Sequence, residues 1–391
     1  MSKRSQHKGS IYQRADSRWA AAINLGWQNG QRHRKYLYGT TRGEVQEKLI
    51  KVLRDQQLGL PVAPERQTVG QFLDRWLEDS AKPSVRPKTF ESYQQLVKLY
   101  LAPDLGRFGL SKLSPQAVQR FLNDRLASGL SARTVQYTHA VLRHALNQAL
   151  RWGLVARNVA TLVSPPQVRR PEIQPFSPEQ TQVFLKAIEG DRLEALYAAA
   201  VAIGLRQGEA FGLRWPDLDL DAGTLAVRYS LQRIQGVPTF VEPKTPRSRR
   251  TINLPAVAIA ALRRHQARQE QERIWAGSRW QEWGLVFCTT IGTPLDPPAV
   301  LKGFQKLLKA AGLPKLRFHD LRHTCATLLL AQGVHPRLVM DILGHSQISL
   351  TLNTYSHIMP VMQREVAAKM DEILSPVAVK MAVSAERQKP N

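Results

Sequence analysis

The sequence predicts a multidomain, mainly α protein with small β-sheets: a three-stranded sheet plus one helix, then a helical bundle, then a larger α+β domain. Three observations predict it. Short runs within residues 10–38 have the composition of strands and the turn residues that bound them. From about residue 67 to 158, apolar positions recur every three or four residues, as helices packed on a shared core require. Two proline-bearing stretches, 58–64 and 162–175, separate the blocks. A chain of 391 residues is long enough for two or three hydrophobic cores.

Residues 1–60 read as a small separate module. Ser10–Arg14, Trp19–Leu25 and His33–Tyr38 read as strands, and Gln28-Asn29-Gly30 marks a turn between the last two. The helical stretch Arg42–Gln56 puts Val45, Leu49 and Leu53 on one face. This module holds twelve Lys+Arg against four acids.

Residues 65–160 read as four helices. Thr68 is the expected N-cap of the first, which carries Val69, Phe72, Leu73, Trp76 and Leu77. Pro87 opens the second, with Tyr93, Leu96, Val97 and Tyr100. Ser114-Pro115 caps the third, and Ser131 starts a fourth that runs to about Trp152. Beyond it, Pro165, Pro166, Pro171 and Pro175, with the pair Arg169-Arg170, form a basic, proline-stiffened strap.

Residues 175–374 begin with a helix start at Ser177-Pro178-Glu179-Gln180. They are expected to be mostly helical, with one small sheet from Thr224–Ser230, Pro238–Glu242 and Arg250–Leu254. Val361, Val366, Met370 and Ile373 make an apolar stripe at near-helical spacing, able to dock on its own domain or on a neighbour. Residues 375–391 carry no periodicity and are expected to be disordered. No apolar run reaches eighteen residues, and the basic start lacks the apolar segment of a secretory signal. Cys288 and Cys325 lack Cys-x-x-Cys spacing, which suggests two buried thiols in a reducing compartment.

Charge narrows the partner. With 55 Lys+Arg against 31 Asp+Glu the formal charge is +24, which points to a polyanion, DNA or RNA first. Four segments carry groups suited to phosphate chemistry: Arg206 in IGLRQGEA, Lys244 in VEPKTPRSRR, His319 and Arg322 in HDLRHT, and His345 with Tyr355 in LGHSQISLTLNTYSH. A phenol of pKa about 10 attacks at neutral pH only among cations. Guanidinium forks match two phosphate oxygens and stay charged. Glu209, three residues after Arg206, can orient it or form an ordinary helical ion pair. His319 and Arg322 share a helix face, with Leu321, Thr324, Leu328 and Ala331 expected on the opposite, buried one. His319-Asp320-x-x-His323 imitates a two-histidine zinc helix, but Asp stands where Glu is required and Arg322 would sit beside the metal, so no metal is expected.

In this order and spacing, over residues 175–360, these segments resemble the active site of the tyrosine recombinase (phage integrase) family. The resemblance implies that Tyr355 is the nucleophile and forms a 3′-phosphotyrosine with DNA. Arg206 and Arg322 would clamp the phosphate, Lys244 would protonate the leaving 5′ oxygen, and His319 would position or deprotonate the nucleophile. His345 would hydrogen-bond a nonbridging oxygen. It further implies an arm-type DNA-binding domain at 1–60, with Arg32 and Arg34 on a strand laid in the major groove. A core-binding domain at 65–160 would contact DNA through Lys88 and Arg133, the strap through Arg169 and Arg170, and the catalytic domain at 175–374 additionally through Arg249. Expected partners are double-stranded attachment-site DNA, a homotetramer passing through a Holliday junction, a DNA-bending accessory protein and a directionality factor. No metal, nucleotide or redox cofactor is implied, nor a membrane; the expected location is the nucleoid region of a bacterial host's cytoplasm. Three other readings compete: type IB topoisomerase-like relaxation, chromosome-dimer resolution within the family, which the added N-terminal domain disfavours, and a non-catalytic DNA-binding regulator. Residues 1–60 also admit a purely structural role as a basic cap.

Overall fold

A computed structural model describes residues 9–28, 31–57, 67–168, 174–243, 249–344, 370, 371 and 374. The chain divides into two compact units, Met1–Arg170 and Pro171–Asn391.

The first unit contains two separate cores. Strands β1 (Ser10–Gln13), β2 (Trp19–Gln28) and β3 (Gln31–Gly39) form an antiparallel sheet, in register at Ser10↔Ala22 and Ala22↔Tyr36. Helix α1 (Arg42–Gln57) completes this module, whose core is Ala21, Ile23, Leu37, Val45, Leu49 and Val52. The central strands run longer than their side-chain pattern suggests. Past an irregularity between Asn24 and Trp27 the ladder resumes and reaches Gln28↔Gln31, because backbone pairing does not require an apolar side chain. Along β3 the exposed residues Arg34, Tyr36 and Tyr38 alternate with buried Leu37, so they share one face.

The second core belongs to a helical bundle. Thr68 caps α2 (Val69–Trp76) in a reciprocal box with Gln71, and the helix continues through a wide turn, Leu77–Ala81, into α3 (Lys82–Ser84). Likewise α4 (Pro87–Leu96) widens at Val97–Leu101 before α5 (Ala102–Leu105). Each wide turn lies just before a proline, Pro83 or Pro103. A proline ring crowds the carbonyl four residues back and offers no N–H, and a looser turn accommodates both defects. Ser114 caps α6 (Pro115–Ala127) and Ser131 caps α7 (Ala132–Arg151). Phe72, Trp76, Leu101, Leu122 and Leu142 fill the interior, each 1% exposed or less.

The second unit opens with α8 (Pro178–Ala187), capped by Ser177, and α9 (Glu194–Ile203), an alanine-rich helix buried almost all round. A short α10 (Gln207–Phe211) follows. The single sheet expected here is two sheets. Strand β4 (Leu218–Asp219) pairs with β5 (Thr224–Val227), which pairs with β8 (Arg250–Asn253). Strands β6 (Ser230–Ile234) and β7 (Val237–Val241) make a hairpin of their own, and the run expected as one strand, Thr224–Ser230, is broken after Val227. The tight turn at Gln235-Gly236, both with positive φ, explains the hairpin. Long α11 (Ala256–Ala276), α12 (Pro297–Ala310), α13 (Asp320–Ala331) and α14 (Pro336–Leu343) complete the unit around Tyr197, Phe287, Phe304 and Phe318. Ala331 is exposed, contrary to expectation; on α13 the buried set is Asp320, Leu321, Arg322, Thr324, Cys325, Ala326 and Leu330. Both cysteines are buried. Among the described residues, no helix is long and apolar enough to cross a membrane.

Candidate active site

Helix α9 ends at Gly204, whose φ of +64° a side chain would strain, and the chain turns back through Leu205 to Arg206 at the start of α10. Arg206 bonds Glu209 twice: its backbone N–H donates to Oε2 at 3.0 Å and its Nη1 to Oε1 at 2.6 Å. Glu209 is also held by Arg250 at the start of β8, whose Nη2 and Nη1 lie 3.0 and 3.3 Å from its two oxygens. Burial would push the Glu209 carboxyl up, but Arg250 and Arg206 outweigh it and hold the group below the usual carboxylate range. Orientation of Arg206 by Glu209 and a helical ion pair are therefore one and the same contact.

Three guanidiniums then converge on one end of α14. The last carbonyls of a helix have no partner inside it and form its negative pole. Here Arg250 Nε donates to the Ile342 carbonyl at 2.6 Å, Arg322 Nη2 to Leu343 at 2.6 Å, and Arg206 Nη2 to Gly344 at 2.7 Å. Arg322 also donates from Nη1 to the Gly204 carbonyl at 2.7 Å, tying the end of α9 to the end of α14. Gly344 adopts φ +66°, and a Cβ there would stand 2.9 Å from Arg250 Nη1.

Arg322 is reached from α13, whose start is stapled locally. Asp320 accepts from the Arg317 N–H at 2.8 Å and from its Nη2 at 2.7 Å. Burial raises the Asp320 carboxyl and Arg317 more than reverses it. His319 and His323 meet edge to face, ring centroids 5.5 Å apart. Burial, and then the Arg322 charge, hold His319 below the ordinary histidine value; burial and His319 push His323 down to about 4. Such rings are neutral near pH 7 and able to accept a hydrogen bond. Thr324 accepts from the Phe176 N–H at 3.1 Å, anchoring the start of the unit to α13.

The two arginines differ in access. The Arg206 side chain is 35% exposed, whereas Arg322 is 3% exposed and lies beneath the surface. Lys244, His345 and Tyr355 lie outside the described residues, as do Arg169 and Arg170. Their flanks are described. The exposed pair Arg249–Glu242, at 2.7 Å, joins residues on either side of Lys244 in the sequence, and the carbonyl turn at 342–344 immediately precedes His345. In β3, Arg34 stands opposite Asn24 and Arg32 opposite Trp27. Lys88 on α4 pairs with Glu91 at 2.8 Å, and Arg133 on α7 donates to Gln136 at 3.0 Å. Of the C-terminal stripe, Met370 is described and exposed; Val361, Val366 and Ile373 lie outside the described residues. The residue missed in the sequence is Arg250. The sequence singles out its neighbour Arg249, and only the strand phase, which turns Arg250 and Ile252 inward, distinguishes them.

Residues 176–360 match the family model described as "Phage integrase family", and residues 68–126 match "Phage integrase, N-terminal SAM-like domain". A tyrosine recombinase XerC-like protein of Caldanaerobacter subterraneus subsp. tengcongensis is 32% identical over 365 residues, covering 88% of this chain and 93% of the relative. An integrase of Streptomyces ambofaciens is 33% identical over 378 residues, covering 92% and 95%. Among solved structures, the Tn1549 transposon integrase in complex with transposon right end DNA shares the fold with a TM-score of 0.65 at 23% identity, over 79% of this chain and 100% of the other. A lambda integrase tetramer bound to a Holliday junction aligns with a TM-score of 0.53 at 18% identity, over 87% and 96%.

Proposed function

The chain belongs to the phage integrase family of tyrosine recombinases, site-specific enzymes that cleave and rejoin DNA, and from that premise we propose that Tyr355 is its nucleophile and Arg206, Lys244, His319, Arg322 and His345 its catalytic set. The Tyr355 oxygen attacks a DNA phosphorus, a 3′-phosphotyrosine forms, and the bond to the 5′ oxygen breaks with Lys244 supplying the proton. Arg206 and Arg322 offset the added negative charge of the pentacoordinate transition state, His319 accepts or orients the tyrosine proton, and His345 bonds a nonbridging oxygen. Attack by a 5′ hydroxyl from the partner strand reverses these steps and returns the tyrosine, so strands reseal without ATP.

One observation carries this reading. Arg206 and Arg322, distant in sequence, bond the successive carbonyls of Gly344 and Leu343, at the point where the chain runs on into His345 and the Tyr355 segment. Two guanidiniums held at successive carbonyls beside a tyrosine motif form the cationic surround that phosphate chemistry needs, which supports the reading.

The finer biology follows as part of the same proposal. The enzyme integrates or excises a mobile element at double-stranded attachment sites, as a homotetramer that passes through a Holliday junction. The solved lambda assembly supports that state. It works in the nucleoid region of the host cytoplasm, with a DNA-bending protein and a directionality factor. Residues 1–60 form an arm-type DNA-binding domain, and their Arg34–Tyr36–Tyr38 face supports the reading. Residues 65–160 clamp core-site DNA and 175–374 perform the chemistry, with Arg32, Lys88, Arg133, Arg169, Arg170 and Arg249 as further DNA contacts.

The test is Tyr355→Phe on a nicked suicide substrate resolved on a denaturing gel. The covalent protein–DNA adduct disappears, while gel-shift affinity stays within a few-fold, since one hydroxyl is lost and no cation. An adduct that persists in the variant overturns the assignment. Relaxation of a supercoiled plasmid without exchange between two sites would favour the topoisomerase reading.

A further inference from the structure

Resting on the reading above, we propose that Arg250 is a positioning residue for strand cleavage, one that keeps Glu209 from cancelling the charge of Arg206 and holds Arg206 aimed at the phosphate by sharing that carboxylate with it. The side chain of Arg250 is 7% exposed, unusual for an arginine, and that of Glu209 is 5% exposed. A carboxylate buried three residues from Arg206 is, by itself, a hazard to catalysis. It forms a 2.6 Å pair with the very guanidinium that must face a phosphate, and one carboxylate against one guanidinium leaves no net charge. The second cation changes that sum: two guanidiniums and one carboxylate leave a single net positive charge. Because the cluster is largely shielded from water, that charge is felt more strongly than it would be in bulk solvent.

Geometry adds a second role. The donors of Arg250 reach both Glu209 oxygens and the Ile342 carbonyl, so one side chain joins β8, α10 and the end of α14. Along the chain, Lys244 lies six residues before Arg250, and His345 directly follows the carbonyl turn at 342–344. Gly344 permits the contact, since any Cβ there would press on the Arg250 guanidinium at 2.9 Å. A lysine at 250 keeps the charge but lacks the planar fork needed to hold three acceptors.

The experiment measures single-turnover cleavage of a suicide substrate at saturating DNA, with thermal melts alongside, for the wild type, Arg206→Ala, Arg250→Met and Arg250→Lys. Each is assayed on an ordinary phosphodiester and on a scissile methylphosphonate, in which a methyl replaces one nonbridging oxygen and removes the charge. Arg250→Met is expected to slow phosphodiester cleavage by about 10²–10³-fold, with DNA affinity within a few-fold, and to recover most of that loss on the neutral substrate. Arg250→Lys should fall between Arg250→Met and the wild type, because the net charge returns without the fork. A folded Arg250→Met that cleaves ordinary DNA at the wild-type rate overturns the inference. So does one that is equally slow on both substrates while Arg206→Ala recovers, since the defect then lies outside the charge clamp. Loss of folding in both Arg250 variants would likewise overturn it, assigning Arg250 to the stability of the domain. If Arg206→Ala itself gains nothing from the neutral substrate, the failure belongs to the underlying catalytic assignment.

Discussion

In the helical bundle, Thr68, Ser114 and Ser131 each accept from the backbone N–H three residues ahead, at 3.2, 3.2 and 3.1 Å. At the end of α14 the same need, unpaired backbone groups at a helix terminus, is met by arginines 92, 138 and 21 residues away. A cap that comes from the same turn costs little ordering beyond the helix itself, and it holds whatever else the domain does. A cap assembled from three distant elements exists only once the domain has folded, and it concentrates positive charge where a local cap would leave none. The bundle thus ends its helices for stability. The second unit uses a helix end to gather three arginines.

Substitutions on the two sides of this comparison should behave differently. The largest effect is expected from Arg322→Ala, which orphans the Gly204 and Leu343 carbonyls at once. Two lost bonds from a charged donor cost about 3–5 kcal/mol, so the urea midpoint should fall sharply and cleavage vanish. Gly344→Ala comes next. It forces a side chain into φ +66° and against Arg250, costing about 1–3 kcal/mol, with suicide-substrate cleavage falling further than the melting temperature implies. Thr68→Ala removes a local cap for about 1 kcal/mol, and its cleavage rate at saturating DNA should match the wild type. Were Thr68→Ala to slow cleavage as Gly344→Ala does, the contrast between the regions would collapse.

The smallest effect at neutral pH concerns His323. Its folded-state value, about 4, lies below the ordinary 6.5, so the folded chain favours the neutral ring. That contribution is whole above the ordinary value and is lost as the pH falls from there toward about 4. His323→Gln should therefore change stability by under about 1 kcal/mol at pH 7 while flattening the decline between pH 7 and 4, read from urea midpoints. An unchanged slope would place the acid sensitivity elsewhere, with His319 first in line.

Much of this molecule was legible in its residues because the relevant physics is local. Caps at Thr68, Ser114, Ser131 and Ser177 depend on a side chain and a backbone N–H three residues apart, so the helix starts they mark could be read directly. The order and spacing of Arg206, Lys244, His319, Arg322, His345 and Tyr355 likewise stand in the chain itself and sufficed to suggest the chemistry. What the sequence could not decide is which charges face inward. Arg249 and Arg250 are adjacent and identical in type, yet one reaches an exposed Glu242 and the other is buried against Glu209 and Ile342. The same holds for the sheet that proved to be two, whose division rests on a turn at Gln235-Gly236 and on which edge β8 chose to pair. Burial and long-range pairing depend on residues up to 148 positions apart meeting in space. That meeting is settled only when the whole domain closes around its core, and with it the convergence of three arginines on one helix end.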